Sequence, residues 1–255
     1  MNFLTRLRSR RGELHSPSQH NGAYAIRPYV CAAIALLGGA AMAEELVPIQ
    51  TAIPKPWSGS FIYNLERIMP PNMEPSRDGK PYPPILVPKG CDQLLSKGCT
   101  VTSSDPNPIE GKLSFVTDGR KEENSDGTIR LVLNADLQWI QIDLDAQKEI
   151  YAVWIWHSFD TPTEKNPPRI YNDVIVQIAD DPDFSEGVET IFNNDHDNSA
   201  KLGEGKDFAY FETNHGRPIP ANGVKGRYVR CYSRGITAKK NAPNVYVQVE
   251  VFGRK

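Results

Sequence analysis

The sequence predicts an all-β fold: a single antiparallel β-sandwich of jelly-roll type, preceded by an irregular, Pro-rich N-terminal arm. Three observations lead there. From about Gly98 onward the apolar residues come in short runs, and none keeps the 3.6-residue helical period for long. The 19 glycines and 21 prolines supply frequent turns. Signals such as Asp180-Asp181-Pro182-Asp183 and Ala221-Asn222-Gly223 then separate one run from the next. Short strands joined by tight turns bury their apolar faces as two packed layers. A chain of 255 residues is long enough to enclose a sizeable core that way.

The first element is an address. Residues 1–28 hold Arg6, Arg8, Arg10, Arg11 and Arg27 against one acid, Glu13. The apolar run Tyr29 to Ala43 follows and ends in Ala41-Met42-Ala43. A basic start, a short apolar stretch and a small-x-small end predict a secretory signal peptide over 1–43, hence a secreted or periplasmic protein. The run is short for a bilayer span, so no integral membrane span is expected in the mature chain.

Residues 44–90 come next, with ten prolines. Proline lacks the N–H that helices and central strands need, so this segment is read as an extended arm. Trp57, Phe61, Tyr63 and Ile68 are too apolar for a solvated tether and are expected to pack on the domain. A disordered tether is the competing reading.

The domain proper is expected over 91–255. Gln138–Leu144 places Ile140, Ile142 and Leu144 on one strand face, and Ile150–Trp156 is apolar on both faces, as a strand between two layers requires. Further strands are read at 171–178, 188–192, 208–213, 227–232 and 245–252. Trp154 and Trp156 share a face within their strand and are assigned to the core.

Charge and cysteine content narrow the function. The full chain carries 29 Lys+Arg against 31 Asp+Glu; loss of 1–43 leaves 24 against 30, a net of −6. That balance gives no electrostatic reason to expect nucleic acid. An oxidising compartment would let Cys91 and Cys99 close a small loop as a disulfide, while Cys231 sits in an apolar strand as a buried thiol. No Gly-x-Ser-x-Gly elbow, His-Glu-x-x-His pair or Gly-rich phosphate loop is present, which argues against an enzyme.

Four motifs fall in order: Phe115-Val-Thr-Asp118-Gly119, Trp139-Ile-Gln-Ile-Asp143-Leu144, Gly226-Arg-Tyr-Val-Arg230 and Val249-Glu-Val-Phe-Gly253. This series resembles the coagulation-factor type C, or discoidin, domain and the related family-32 carbohydrate-binding modules, in a bacterial secreted branch. The resemblance spans about Gly90 to Gly253. It implies a galactose-binding-like jelly roll, non-catalytic, with ligand loops at one end of the sandwich and one structural Ca²⁺. Fold resemblance alone selects no ligand.

The resemblance places the calcium on the aspartate of the Asp-Gly turn, Asp118, and on the last strand, where Gln248 stands in place of the family's frequent glutamate. Asp126 completes the expected set if the 120–128 loop folds back. The alternative is a plain Asp-Gly turn closed by its own hydrogen bonds. For carbohydrate, the loop after residue 156 offers His157, Phe159, Asp160 and Arg169, and the 233–244 loop offers Arg234 and Asn244 with Lys239 and Lys240. These supply a stacking ring and planar polar groups. The run Asn193 to Ser199 alternates oxygen donors, but lacks the sixth-position glycine of an EF-hand, so it reads as a polar turn. The expected function is therefore a secreted, non-catalytic module recognising a glycan or polysaccharide of the envelope or environment. The rival is an interaction subunit that docks a protein partner through residues 44–90.

Overall fold

The computed structural model describes residues 44–56, 65–77, 80–122, 129–159 and 168–255. The signal-peptide segment, Trp57, Phe61, Tyr63, Asp126 and Asp160 lie outside them.

Ten strands are described: β1 (Leu46–Pro48), β2 (Leu86–Pro88), β3 (Gln93–Leu94), β4 (Thr100–Ser103), β5 (Leu131–Leu133), β6 (Gln138–His157), β7 (Ile175–Ala179), β8 (Glu189–Asn193), β9 (Arg217–Ser233) and β10 (Asn244–Arg254). All pairings between them are antiparallel. The main path runs β3-β10-β6-β9-β7-β8, with β4 added to β6 and β5 to β10.

Two long strands make the sandwich. The two runs read separately at 138–144 and 150–156 form one strand, β6, which slips register between Asp143 and Lys148 against β9. Its first part pairs with β4, its second with β10, so the irregularity is where the strand passes from one layer to the other. β9 does the same, pairing with β7 only through Tyr228–Tyr232. Its other half carries Pro218 and Pro220, which broke the strand pattern in the sequence. There β6 is the only described neighbour, and an edge tolerates the missing donors.

The core lies between the layers. Ile140, Ile142 and Leu144 are buried together with Val153, Ile155, Val229, Val249 and Val251. Trp154 and Trp156 stack with centroids 5.5 Å apart, and their indole N–H groups donate to His215 O and Asn214 O. Cys231 is fully buried, and burial pushes its thiol up to about 12. The expected Cys91–Cys99 disulfide is not formed. Cys91 packs in a small cluster with Ile49, Val87 and Phe252, Cys99 packs against the main core, and both are free thiols.

The arm has more structure than its prolines suggested. β1 and β2 pair with each other, with prolines at their ends where a lost donor costs least. Ile68 is buried against Ile170 and Ala209. The run expected as a strand at 208–213 forms none, because its partner is the arm: Ala209 N–H donates to Asn72 O and Glu74 N–H to Ala209 O. Among the described residues no helix is long and apolar enough to cross a membrane.

Candidate functional site

The loops between β6 and β7, after β8 and between β9 and β10 meet the arm at one place. The 193–205 loop is built by its own side chains. Asp195 Oδ2 accepts from Ala200 N–H at 2.8 Å and its Oδ1 from Ser199 N–H at 3.1 Å. Asn193 Oδ1 accepts from Asp195 N–H and Asn198 Oδ1 from Gly203 N–H. Asp173 and Asn198 hold positive φ values of 52° and 55°, a conformation that Asp and Asn tolerate better than most residues. The run from Asn193 is thus the polar turn its sequence suggests, and it also forms a wall.

That wall bounds a cleft of about 300 Å³, lined by Asn72, Tyr171, Asp173, Asn194, Asp197 and Arg234 among others. A second cleft of about 320 Å³ adjoins it, shares Asn172 and Arg234, and adds Ile236, Lys239 and Lys240. Asn72 comes from the arm. Its Nδ2 donates to Asn194 O at 2.9 Å and to Asp207 O at 3.1 Å, while its Oδ1 is buried with no partner among the described residues. Asn194 is the complement: its N–H, its carbonyl and its Oδ1 are all engaged, and its Nδ2 is buried without an acceptor among the described residues.

Carboxylates crowd the same wall. One oxygen each of Asp173, Asp195 and Asp197 lies within 4.8 Å of the others. Burial raises the Asp173 carboxyl, opposed by the Arg234 guanidinium and reinforced by Asp195 and Asp197. Arg234 Nε stands 2.8 Å from Asp173 Oδ2, and its Nη2 donates to Ser199 O at 2.7 Å.

Of the described residues expected at a ligand site, Arg234 lines both clefts and Lys239 and Lys240 line the second. His157 is fully buried: Nδ1 lies 2.7 Å from Glu212 Oε1, and the ring stacks at 4.3 Å on Tyr171, itself a lining residue of the cleft. Phe159 packs with Trp156, Ile129 and Val247. Arg169 is half-buried, and its carbonyl accepts from Glu212 N–H. Asn244 is fully buried and satisfied, donating to Asn134 O and Asp136 O and accepting from Ser233 Oγ and Gly235 N–H. It pins the base of the 233–244 loop. Asn72 and Asn194 escaped the sequence reading because neither stands in a recognisable motif; the alternating donors from Asn193 onward were the one visible signal.

Of the expected calcium residues, Asp118 and Gln248 lie among the described ones, and both are engaged with protein donors. Asp118 spends its carboxylate on Arg120, whose N–H and Nε both lie 2.8 Å away. Gln248 Oε1 accepts from Gly119 N–H at 3.2 Å. The next residue after Arg120 already brings a cation inside: Lys121 Nζ is 2.7 Å from Glu250 Oε1 and 3.8 Å from the Trp156 ring centre. Calcium asks for six to eight oxygens, and these are committed to protein donors.

No family model and no curated protein matches the chain. Among solved structures, it is similar to chitosan-binding module 1 of a chitosanase/glucanase from Paenibacillus sp. IK-5, at 16% identity over 63% of this chain and 99% of that one, with a TM-score of 0.43. A Streptococcus pneumoniae fucose-binding module, SpX-3, matches at 17% over 64% and 99%, with a TM-score of 0.42. An F-lectin from striped bass (Morone saxatilis) serum matches at 17% over 64% of this chain and 48% of that one, with a TM-score of 0.44.

Proposed function

We propose that the protein is a non-catalytic, secreted or periplasmic module that binds carbohydrate in the cleft between the arm and the 193–205 loop. The observation that carries this is the pair of unused amide groups, Asn72 Oδ1 and Asn194 Nδ2, on neighbouring residues of one wall. A buried acceptor and a buried donor left open each cost free energy, and a sugar hydroxyl can donate to Asn72 Oδ1 or accept from Asn194 Nδ2. Asp173, Asp197 and Arg234 extend that wall with planar polar groups suited to further hydroxyls. Rigid layers hold the loops, so little ordering remains to be done on binding. The described arm residues are engaged with the sandwich through Ile68 and Asn72, which favours a ligand in the cleft over a partner on the arm.

The test is a glycan and polysaccharide panel with the purified protein. A reproducible ligand is expected, weakened at least tenfold by Asn194→Leu and by Asn72→Leu, a loss of about 1.4 kcal/mol or more. A blank panel from folded protein, or a ligand indifferent to both substitutions, defeats the proposal.

A further inference from the structure

We propose that the saccharide this cleft takes carries an acetamido group, whose N–H donates to Asn72 Oδ1 and whose carbonyl accepts from Asn194 Nδ2; this rests on the carbohydrate reading above. The two open atoms are opposite in kind, and the fold fixes which is which. Asn72 Nδ2 is held by two backbone carbonyls, Asn194 O at 2.9 Å and Asp207 O at 3.1 Å, so the end left over is the oxygen. Asn194 Oδ1 accepts from Val174 N–H at 2.7 Å, so the end left over is the NH₂. Exchanging oxygen and nitrogen on either residue would set acceptor against acceptor or donor against donor. Asn194 is only 3% exposed, so its open donor has little water to turn to.

A hydroxyl presents donor and acceptor at a single oxygen. A secondary amide presents them at two atoms, N and O, which point in opposite directions within one plane. Here the arm supplies the open acceptor and the 193–205 loop the open donor, so a group with two ends matches the pair. The acetyl methyl needs an apolar surface, and Pro70, Tyr171 and Ala209 line the same cleft, the last two being 2% and 3% exposed. Other substituents match less well. An ammonium has three donors and no acceptor, so it leaves Asn194 Nδ2 unmet, and an acetyl ester has no donor for Asn72 Oδ1.

The experiment is an NMR titration of the ¹⁵N-labelled full chain. The probes are the methyl glycosides of N-acetylglucosamine, N-acetylgalactosamine and N-acetylmannosamine, their parent hexoses, and the 2-O-acetyl esters, which keep the carbonyl but lack the N–H. Any glycan returned by the panel is compared in the same way with its de-N-acetylated form. At least one N-acetylated ligand is expected to bind at least tenfold tighter than its parent and its ester, and to shift the side-chain NH₂ resonances of Asn194. Asn194→Asp keeps an acceptor for Val174 N–H and turns the open donor into an acceptor, so it is expected to shrink the preference about tenfold. Glu189→Gln, on β8 and outside the cleft lining, retains it. Should Asn194→Asp fail to fold, the comparison of amide with ester on the unchanged protein still decides. A parent, ester or free amine bound as tightly, or binding confined to glycans without an acetamido group, overturns the inference and leaves the carbohydrate reading standing. A preference that survives in folded Asn194→Asp overturns the assignment to this pair. No binding by any probe, together with a blank panel, ends both readings.

Discussion

Replacing Lys121 with methionine tests how the arm is fastened to the sandwich. The Lys121 and Glu250 side chains are 5% and 6% exposed, with Nζ and Oε1 2.7 Å apart. The ammonium also donates to Thr51 Oγ1 at 2.6 Å and Ala52 O at 2.9 Å, both from the arm. Burial lowers the lysine pKa, and the Glu250 charge works against that shift. Methionine fills a similar volume but leaves Glu250 as a buried charge with no cation. Breaking such a pair from one side costs about 3–5 kcal/mol, whereas replacing both members by apolar groups is often near neutral. Lys121→Met is therefore expected to cost about 4 kcal/mol, or roughly 8–16 °C in Tm for a domain of this size. The double variant Lys121→Met/Glu250→Leu should recover at least about 2 kcal/mol of that, the arm's Thr51 and Ala52 being open enough to turn to water. Urea unfolding followed by tryptophan fluorescence reads the loss, since Trp156 lies directly under the ammonium. A single-variant loss below about 1 kcal/mol, or a double variant as weak as the two singles added, would refute the reasoning.

Arg230 is 8% exposed, sandwiched at 4.3 Å from the Trp139 ring and 4.0 Å from Phe184, and donates to Gln141 Oε1 and Pro182 O. Lysine cannot reproduce that planar fork, so Arg230→Lys should lower stability by about 1–3 kcal/mol in the same urea assay, and a silent substitution would count against the stacking account. At Asp105, burial works to raise the carboxyl but is outweighed by hydrogen bonds from Asn134 and Asn107, so its pKa in the fold is lowered. Its stabilisation is fully present above the unfolded value of about 3.9 and fades as pH falls through the lower folded value. Asp105→Asn should thus flatten the acid limb of a Tm-against-pH curve below about pH 4, and an unchanged limb would contradict this. Adding EDTA is expected to move Tm by less than about 1 °C, because Arg120 and Gly119 already occupy the Asp118 and Gln248 oxygens. A larger drop, restored by calcium, would show that the turn reopens around the ion.

Much of the fold was legible because strands write their burial into a two-residue period. Ile140, Ile142 and Leu144 declared their face, and Trp154 and Trp156 declared theirs, without reference to any distant residue. Where the reading failed, a non-local partner had overridden the local pattern. Pro218 and Pro220 hid half of β9 because proline is compatible with a strand only at an edge, and edges are a property of the finished sheet. The run at 208–213 has the apolar alternation of a strand, yet its hydrogen bonds go to the arm near Asn72. Cys91 and Cys99 are near neighbours in the chain, but packing sends them to different clusters.

The candidate site shows the division most sharply. Asn244 and His157 looked like ligand groups because they are polar residues beside loops; the fold uses Asn244 to hold a loop base and buries His157 under Tyr171. Asn72 and Asn194, 122 residues apart, carry the cleft's open donor and acceptor. The sequence by itself determined the β class, the turn positions and the faces that go inward, since these follow from backbone preferences and side-chain alternation within a few residues. Only the tertiary structure decided which loops converge, because whether a polar group is satisfied depends on what the rest of the chain brings within about 3 Å of it.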